Sequence, residues 1–158
     1  MQDIFIKING IAGESRDANH QEEIDVLSWA WNVSQNSTML SGSGGGAGKA
    51  TVSDLSFIHE FDRASPNLAK FCFTGKHIDQ AVLTMRKAGG VPHEFSRITL
   101  YDVIITHVAP LVNSSTCHES VRLSFSTMKH EYKVQNPLGG SGGTVTAMMY
   151  IKENSAVR

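Results

Sequence analysis

Alternation of apolar and polar side chains with a period of two constrains this chain more than any other feature. Ile4, Ile6 and Ile8 occupy every second position of the first segment, and a second alternating run extends from Glu23 to Ser34. The apolar positions of the second run are Leu27, Trp29, Trp31 and Val33. A period of two is typical of β-strands, whose successive side chains point to opposite faces. Further strands are predicted at 51–58, 80–88, 96–108, 120–134 and 144–152.

One segment has the pattern of a helix instead. Ser65 is a suitable N-cap, Pro66 suits the first helical position, and Gly75 suits the position just after the end. Between these signals, Leu68, Phe71 and Cys72 form an apolar stripe with the spacing i, i+3, i+4. We therefore predict a helix over 65–74 that buries the Cys72 thiol.

The segment 120–134 changes its apolar phase partway along. Its apolar positions run through Val121, Leu123 and Phe125 and then shift to Met128, Tyr132 and Val134. Such a shift indicates a bulge or a strand that crosses between two sheets. Seven or eight strands with one short helix predict a mainly β fold, a closed barrel or a tight sandwich, formed as a single domain by residues 1–158.

Composition and charge exclude several classes of function. Hydrophobic residues make up 41% of the chain, which is a globular composition, and the formal net charge is −1. Because no basic run or patch favours phosphate backbones, we expect no nucleic-acid partner. The N-terminus lacks the pattern of a signal peptide, and no segment has the roughly 20 apolar residues of a membrane span. We expect synthesis in the cytoplasm and, if the protein is exported, a route without a signal peptide.

Two glycine-rich stretches resemble catalytic or nucleotide-binding motifs only in part. The stretch 41–48 lacks the first glycine of a phosphate-binding loop, because Ser43 occupies that position, and Ala50 follows Lys49 where a hydroxyl residue is required. The stretch 139–143 matches the G-x-S-x-G pattern around Ser141, but a strand rather than a helix is predicted after it. We expect both stretches to be loops, and the dense glycine of 41–48 argues against an ordinary strand interior there. We predict no catalytic residue and no cofactor.

The histidines and cysteines do not form a metal-binding motif. No histidine pair has HExxH spacing and no Cys-x-x-Cys occurs. One alternative remains, in which Cys117 and His118 join His107 or His130 from neighbouring strands. Our prediction is that the chain has no metal site.

A series of short strings along the chain carries a family resemblance. They are Phe5–Ile8, Gly13–Ser15, His20–Leu27, Trp29–Trp31, Gly44–Lys49, Asp54–Phe57, Ser65–Leu68, Gly75–His77 and Leu83–Gly90. In order and spacing they resemble the haemolysin-coregulated protein family, the tube subunits of type VI secretion systems. The resemblance spans Asp3 to Ile151 and is weakest from Pro110 to Glu119 and after Pro137.

The resemblance implies a structural protein. It implies a two-sheet β-barrel with one short flanking α-helix, assembled as a homohexameric ring whose copies stack into a tube. The implied partners are other copies of the chain, the sheath and spike proteins of the secretion machine, and effector proteins that the lumen carries.

The second alternating run has two faces to which we assign different roles. We interpret Trp29 and Trp31 as core residues, since each can bury roughly 150–250 Å². By resemblance, the opposite face with Ser28, Ala30 and Asn32 lines the lumen and contacts effectors. The family commonly has serine between the two tryptophans, and this chain has Ala30 instead.

By resemblance, the glycine-rich loop over residues 40–49 joins neighbouring rings. Its candidate stacking residues are Gly42, Gly44, Gly45, Gly46, Gly48 and Lys49. Two other functions compete with the tube subunit. A small-ligand-binding β-barrel predicts a monomer with an apolar internal pocket, and a hydrolase predicts a nucleophilic Ser141.

Overall fold

The chain folds almost entirely into antiparallel strands. The structure, a computed structural model, describes residues 2–37, 47–88, 92–136, 138, 141–151 and 155–157. Within these ranges the strands are β1 (Gln2–Ile8), β2 (Ile24–Asp25), β3 (Ser28–Ala30), β4 (Val33–Ser37), β5 (Ala47–Val52), β6 (Leu55–Glu60), β7 (Ile78–Lys87), β8 (His93–Val112), β9 (Cys117–Ser124), β10 (Thr127–Gln135), β11 (Ser141–Tyr150) and β12 (Ser155–Val157). The helix α1 spans Ser65–Thr74. The predicted mainly β class with one short helix is confirmed.

The strands form two sheets that share β8, and a separate hairpin. Sheet A has the order β12-β11-β10-β8-β7-β1-β2, and sheet B has the order β3-β6-β9-β8. The first half of β8 pairs with β7 and β10, and its second half, from Ile104, pairs with β9. Strands β4 and β5 form a two-stranded hairpin of their own.

The predicted crossing between sheets is confirmed for the segment 120–134. Strand β9 belongs to sheet B and β10 to sheet A, and Phe125 and Ser126 lie between them. The hydroxyl of Ser126 donates to Asp102 Oδ2 at 2.7 Å, and Asp102 has a φ of 53°. Strand β8 and the segment β9–β10 therefore pass from one sheet to the other at the same place. This crossing explains the shift in apolar phase within 120–134.

The second predicted strand, from Glu23 to Ser34, is wrong as a single element. It is divided into β2, β3 and β4, each with a different partner strand. As a result its apolar set does not share one buried face, and Leu27 and Val33 are each 49% exposed. The expectation that 41–48 excludes an ordinary strand is also wrong at Ala47 and Gly48, which lie in β5.

The ladders do not close into a continuous barrel within the described residues. Between β2 and β3 the chain passes from sheet A to sheet B, and two single hydrogen bonds span the junction. Val26 N–H donates to Ile4 O at 2.9 Å, and Leu27 N–H donates to Ile58 O at 2.8 Å. The interior is filled by side chains with at most 1% exposure, among them Ile6, Leu55, Phe57, Leu83, Ile98, Leu100, Leu123 and Met128. A filled interior argues against the small-ligand barrel.

Helix α1 has the predicted limits, but its N-cap residue differs from the predicted one. Ala64 is the N-cap residue, so Ser65 is wrong as the N-cap. Asp62 organises the start instead, because its Oδ1 accepts a hydrogen bond from Ala64 N–H at 2.8 Å. Gly75 ends the helix with a φ of 63°, as expected for a left-handed C-terminal residue. Cys72 is only partly buried, in contrast to the buried thiol that we predicted.

In the part of the chain that the structure describes, no helix has the length and apolar character needed to span a membrane.

Candidate functional site

The exposed face of sheet B carries a row of four residues on four neighbouring strands. Ala30 of β3 lies opposite Ser56 of β6, Ser56 lies opposite Arg122 of β9, and Arg122 lies opposite His107 of β8. Residues directly opposite one another in a ladder share a face of the sheet. We call these four residues the cross-sheet row. Its members are exposed except for Ser56, which is half-buried.

A cleft of about 430 Å³ lies along one end of the cross-sheet row. Its lining residues are Ala30, Trp31, Asn32, Ser53, Asp54, Ser56 and Arg122. The structure thus brings together two of the three residues predicted to line a lumen, Ala30 and Asn32. The third, Ser28, is exposed on the same strand two residues before Ala30 and does not line the cleft.

Two charged groups in the cleft have different surroundings. Asp54 Oδ2 accepts a hydrogen bond of 2.6 Å from the hydroxyl of Thr106, which lies at an irregularity in β8 between Ile105 and His107. The guanidinium of Arg122 forms no ion pair with any residue that the structure describes. We did not single out Arg122 or Asp54 from the sequence. The inward positions Val121 and Leu123 could have identified Arg122 as outward-facing.

Trp29 and Trp31 lie at the margin of the core. Both are half-buried and pack against the buried cluster without being enclosed by it. Trp29 reaches from sheet B to sheet A, where its Nε1–H donates to the sulfur of Met85 at 3.3 Å. Trp29 therefore helps to hold the sheets together, and the burial of both tryptophans is less complete than expected for core residues.

A second surface, an apolar groove, lies between α1 and the end of β8. We call it the helix groove; its volume is about 570 Å³. Its lining residues are Phe61, Asp62, Ser65, Pro66, Ala69, Cys72, Phe73, Val108, Pro110 and Glu119. Phe73 is 92% exposed, and Val112, which shares the strand face of Val108 and Pro110, extends the apolar surface along β8. An aromatic side chain exposed to this extent beside a groove is typical of an interaction surface.

Buried ionisable groups lie next to the helix groove. His59 is fully buried, and its Nε2 lies 2.9 Å from Glu119 Oε1. Its Nδ1 lies 3.8 Å from Asp62 Oδ2. Burial disfavours the charged imidazolium, but the carboxylates of Asp62 and Glu119 outweigh this effect and raise the pKa of His59 above 6.5.

A cluster of charged residues around Arg86 attaches the loop after β1 to sheet A. The guanidinium of Arg86 donates to Asp17 at 2.6 and 3.0 Å and to Asp3 at 3.1 Å. These hydrogen bonds raise the pKa of Arg86, and the bond from Arg86 is the largest cause of the low Asp17 pKa of about 2. His20 stacks on Phe5 close by. Every cation of this cluster has an anionic partner, so we interpret it as structural.

The remaining predicted residues either belong to the part of the chain that the structure does not describe or lie away from these surfaces. Gly42, Gly44, Gly45 and Gly46 lie outside the described residues, and Gly48 and Lys49 lie in β5. Ser141 lies in strand β11 and not at a turn into a helix, so the predicted loop over 139–143 is wrong at residues 141–143. Among the described residues, no three histidine, cysteine or carboxylate side chains are grouped so that they could hold a metal ion, which is contrary to the alternative with Cys117 and His118.

Comparisons with known proteins agree over nearly the whole chain. The model of a family described as type VI secretion system effector, Hcp, matches residues 5–132. The protein hcp1 of Pseudomonas aeruginosa is 44% identical over 156 residues, which cover 96% of each chain. The crystal structure of Hcp1 from Salmonella typhimurium has 49% identity, covers 99% of both chains and has a TM-score of 0.83. That of a type VI secretion system effector from Yersinia pestis has 40% identity, covers 94% of this chain and 99% of that chain, and has a TM-score of 0.78.

Proposed function

Because the chain belongs to the Hcp family of type VI secretion system proteins, we propose that it is a tube subunit that closes into six-membered rings and carries effectors in their lumen. The observation that carries this proposal is the similarity to Hcp proteins over nearly the entire chain. In the proposed assembly the rings stack into a tube, and the tube contacts the sheath and spike of the secretion machine. In this proposal the protein is made in the cytoplasm and leaves through that machine.

A ring of identical subunits needs two different patches that meet on neighbouring copies. The helix groove is our candidate for one patch, because it is concave and apolar and has Phe73 at its margin. A second exposed apolar set on β10 and β11 is our candidate for the other. Its members are Tyr132, Val134 and Val145.

The ring is tested with two substitutions on the same helix. We expect Phe73→Ser to lower the fraction of hexamer at micromolar concentration, because it removes apolar surface that the neighbour would cover. Lys70→Ser, at another exposed position of α1, is the matched control and should leave the hexamer unchanged. Native mass spectrometry gives both fractions.

Wild-type protein that is only monomeric in this experiment would contradict the ring. Equal hexamer fractions in the two variants would remove the helix groove from the interface while leaving the ring itself in place.

We propose that the glycine-rich loop over residues 40–49 joins neighbouring rings. This segment includes residues between β4 and β5 and the first three residues of β5, and the two strands form a hairpin separate from sheets A and B. Deleting Gly44–Gly46 should therefore leave the ring intact and weaken tube formation. Electron microscopy of the purified deletion variant checks tube length, and normal tubes would be the result against the idea.

We assign the face of sheet B with Ser28, Ala30 and Asn32 to the lumen. Apart from Trp31, the side chains that line the cleft on this face are small, polar or charged, and six copies would form a belt around the cargo. A substitution at Ala30 tests this assignment.

A further inference from the structure

We propose that Arg122 gives the lumen its preference for cargo by binding carboxylate groups of acidic effector segments. This inference rests on the proposed function, in which the face of sheet B lines the channel. It adds a chemical class of ligand, which neither the fold nor the small residues around Ala30 would provide.

The position of Arg122 carries the first step. It lies in the cross-sheet row, one strand from Ser56 and two strands from Ala30, and it lines the same 430 Å³ cleft as both. A cargo segment that contacts Ala30 would therefore pass within reach of the guanidinium. The small side chains of Ala30 and Ser56 leave the space above the row open.

The charge of Arg122 carries the second step. Within the described part of the chain its guanidinium has no anionic partner. Asp54 in the same cleft, in contrast, accepts a hydrogen bond from the hydroxyl of Thr106. A planar guanidinium donates two parallel hydrogen bonds to a carboxylate, which gives it a geometric preference over other anions. Arg122 is therefore the group in this cleft that is complementary to an acidic side chain, and the Asp54 carboxylate beside it is already engaged by Thr106.

The ring carries the third step. Six subunits would place six copies of Arg122 in one belt, so that a segment with several carboxylates could contact more than one of them. Linked contacts of this kind raise affinity well above that of a single pair. Screening by salt should reduce the binding, because the proposed pairs lie at an exposed surface.

The test uses two labelled peptides of equal length, one with several glutamates and one with glutamine at the same positions. Fluorescence anisotropy measures the binding of each to the purified full-length protein. We expect the glutamate peptide to bind wild type more tightly than its glutamine counterpart. Arg122→Gln should weaken the glutamate peptide by about fivefold or more and leave the glutamine peptide unchanged.

Arg97→Gln is the matched control, because it removes one exposed positive charge from sheet A. It should leave the affinity for the glutamate peptide unchanged. Equal affinities of wild type and Arg122→Gln for the glutamate peptide would overturn the inference, as would an equal loss in the Arg97→Gln control. Absence of binding to wild-type rings would also overturn it.

Native mass measured on the same samples separates the two proposals. Rings that bind the glutamate peptide without help from Arg122 would refute only the inference. A monomeric wild type would refute the proposed ring, and its anisotropy would still decide whether Arg122 binds the glutamate peptide.

Discussion

Arg86 and Arg122 carry the same side chain in opposite surroundings. Arg86, on β7 of sheet A, is 9% exposed and donates to Asp3 and Asp17. Arg122, on β9 of sheet B, is exposed and has no ion pair among the described residues. The first arginine attaches a loop to the sheet, and the second is available to a ligand.

The difference shows how to separate structural from functional charges in this protein. A guanidinium that is desolvated on folding must be paired, because an unpaired buried charge is expensive. A guanidinium that stays in water needs no partner, so nothing in the folding of the monomer accounts for Arg122. Substitution of each arginine by the same residue measures the contrast directly.

The largest expected effect is that of Arg86→Gln. It should lower the free energy of unfolding by about 2–3 kcal/mol, because three hydrogen bonds to carboxylates are lost and Asp17 is left without its cation. Thermal unfolding followed by circular dichroism measures this as a loss of about 5–10 °C. Arg122→Gln, the matched substitution, should stay within about 0.5 kcal/mol of wild type. Equal losses of unfolding free energy in the two variants would contradict the distinction between a structural and a free arginine.

Acidification should weaken the Arg86 cluster. The folded pKa of Asp17 is about 2, below its ordinary value of 3.8, chiefly through the hydrogen bond from Arg86. Asp17 therefore contributes stability above pH 3.8, and this contribution is lost as the pH falls toward 2.

Chemical denaturation between pH 5 and pH 2 should show this loss in wild type and in Arg122→Gln alike. In Asp17→Asn the dependence on pH should be flatter over the same range. A slope in Asp17→Asn as steep as that of wild type would show that the cluster does not act through Asp17.

A smaller effect with the opposite sign is expected at His59. Its folded pKa is raised, so its contribution is fully present below pH 6.5 and is lost as the pH rises through the folded value. Glu119→Gln removes one of the two carboxylates that favour the imidazolium. We expect this variant to be less stable than wild type at pH 6 and to lose less on going to pH 8. Thermal melts at the two pH values measure the difference, and an unchanged pH dependence would contradict the role of Glu119.

The smallest expected effect on stability is that of Ala30→Gln. Ala30 is exposed, so the added side chain should change the free energy of unfolding by no more than about 0.5 kcal/mol. Retention of cargo should nevertheless fall, because in the proposed ring every subunit would narrow the same belt. Ala147→Gln, at an exposed position of β11 in sheet A, is the control and should retain cargo. A destabilised ring, or normal retention in a pull-down with Ala30→Gln, would remove Ala30 from the lumen.

Local patterns predicted most of the elements. The first strand, helix 65–74 and the crossing after Phe125 were correct because each depends on residues close together in sequence. The division of 23–34 into three strands was missed, because the break depends on the partner strands β1, β5 and β6 and not on the alternation itself. Parity assigned Ala30 to an exposed face correctly, but it overestimated the burial of Trp29 and Trp31 at the sheet margin.

The sequence by itself determined which positions are apolar, where the helix ends and which side chains of each strand share a face, because these are properties of neighbouring residues. Only the tertiary structure decided what meets across the sheets. The cross-sheet row joins Ala30, Ser56, Arg122 and His107. Arg86 donates hydrogen bonds to Asp17 and Asp3, which precede it in the sequence by 69 and 83 positions. Such contacts follow from strand register and from the bend of β8, which arise only when distant segments pack together. The same residue type therefore became a structural group in one sheet and a free charge in the other.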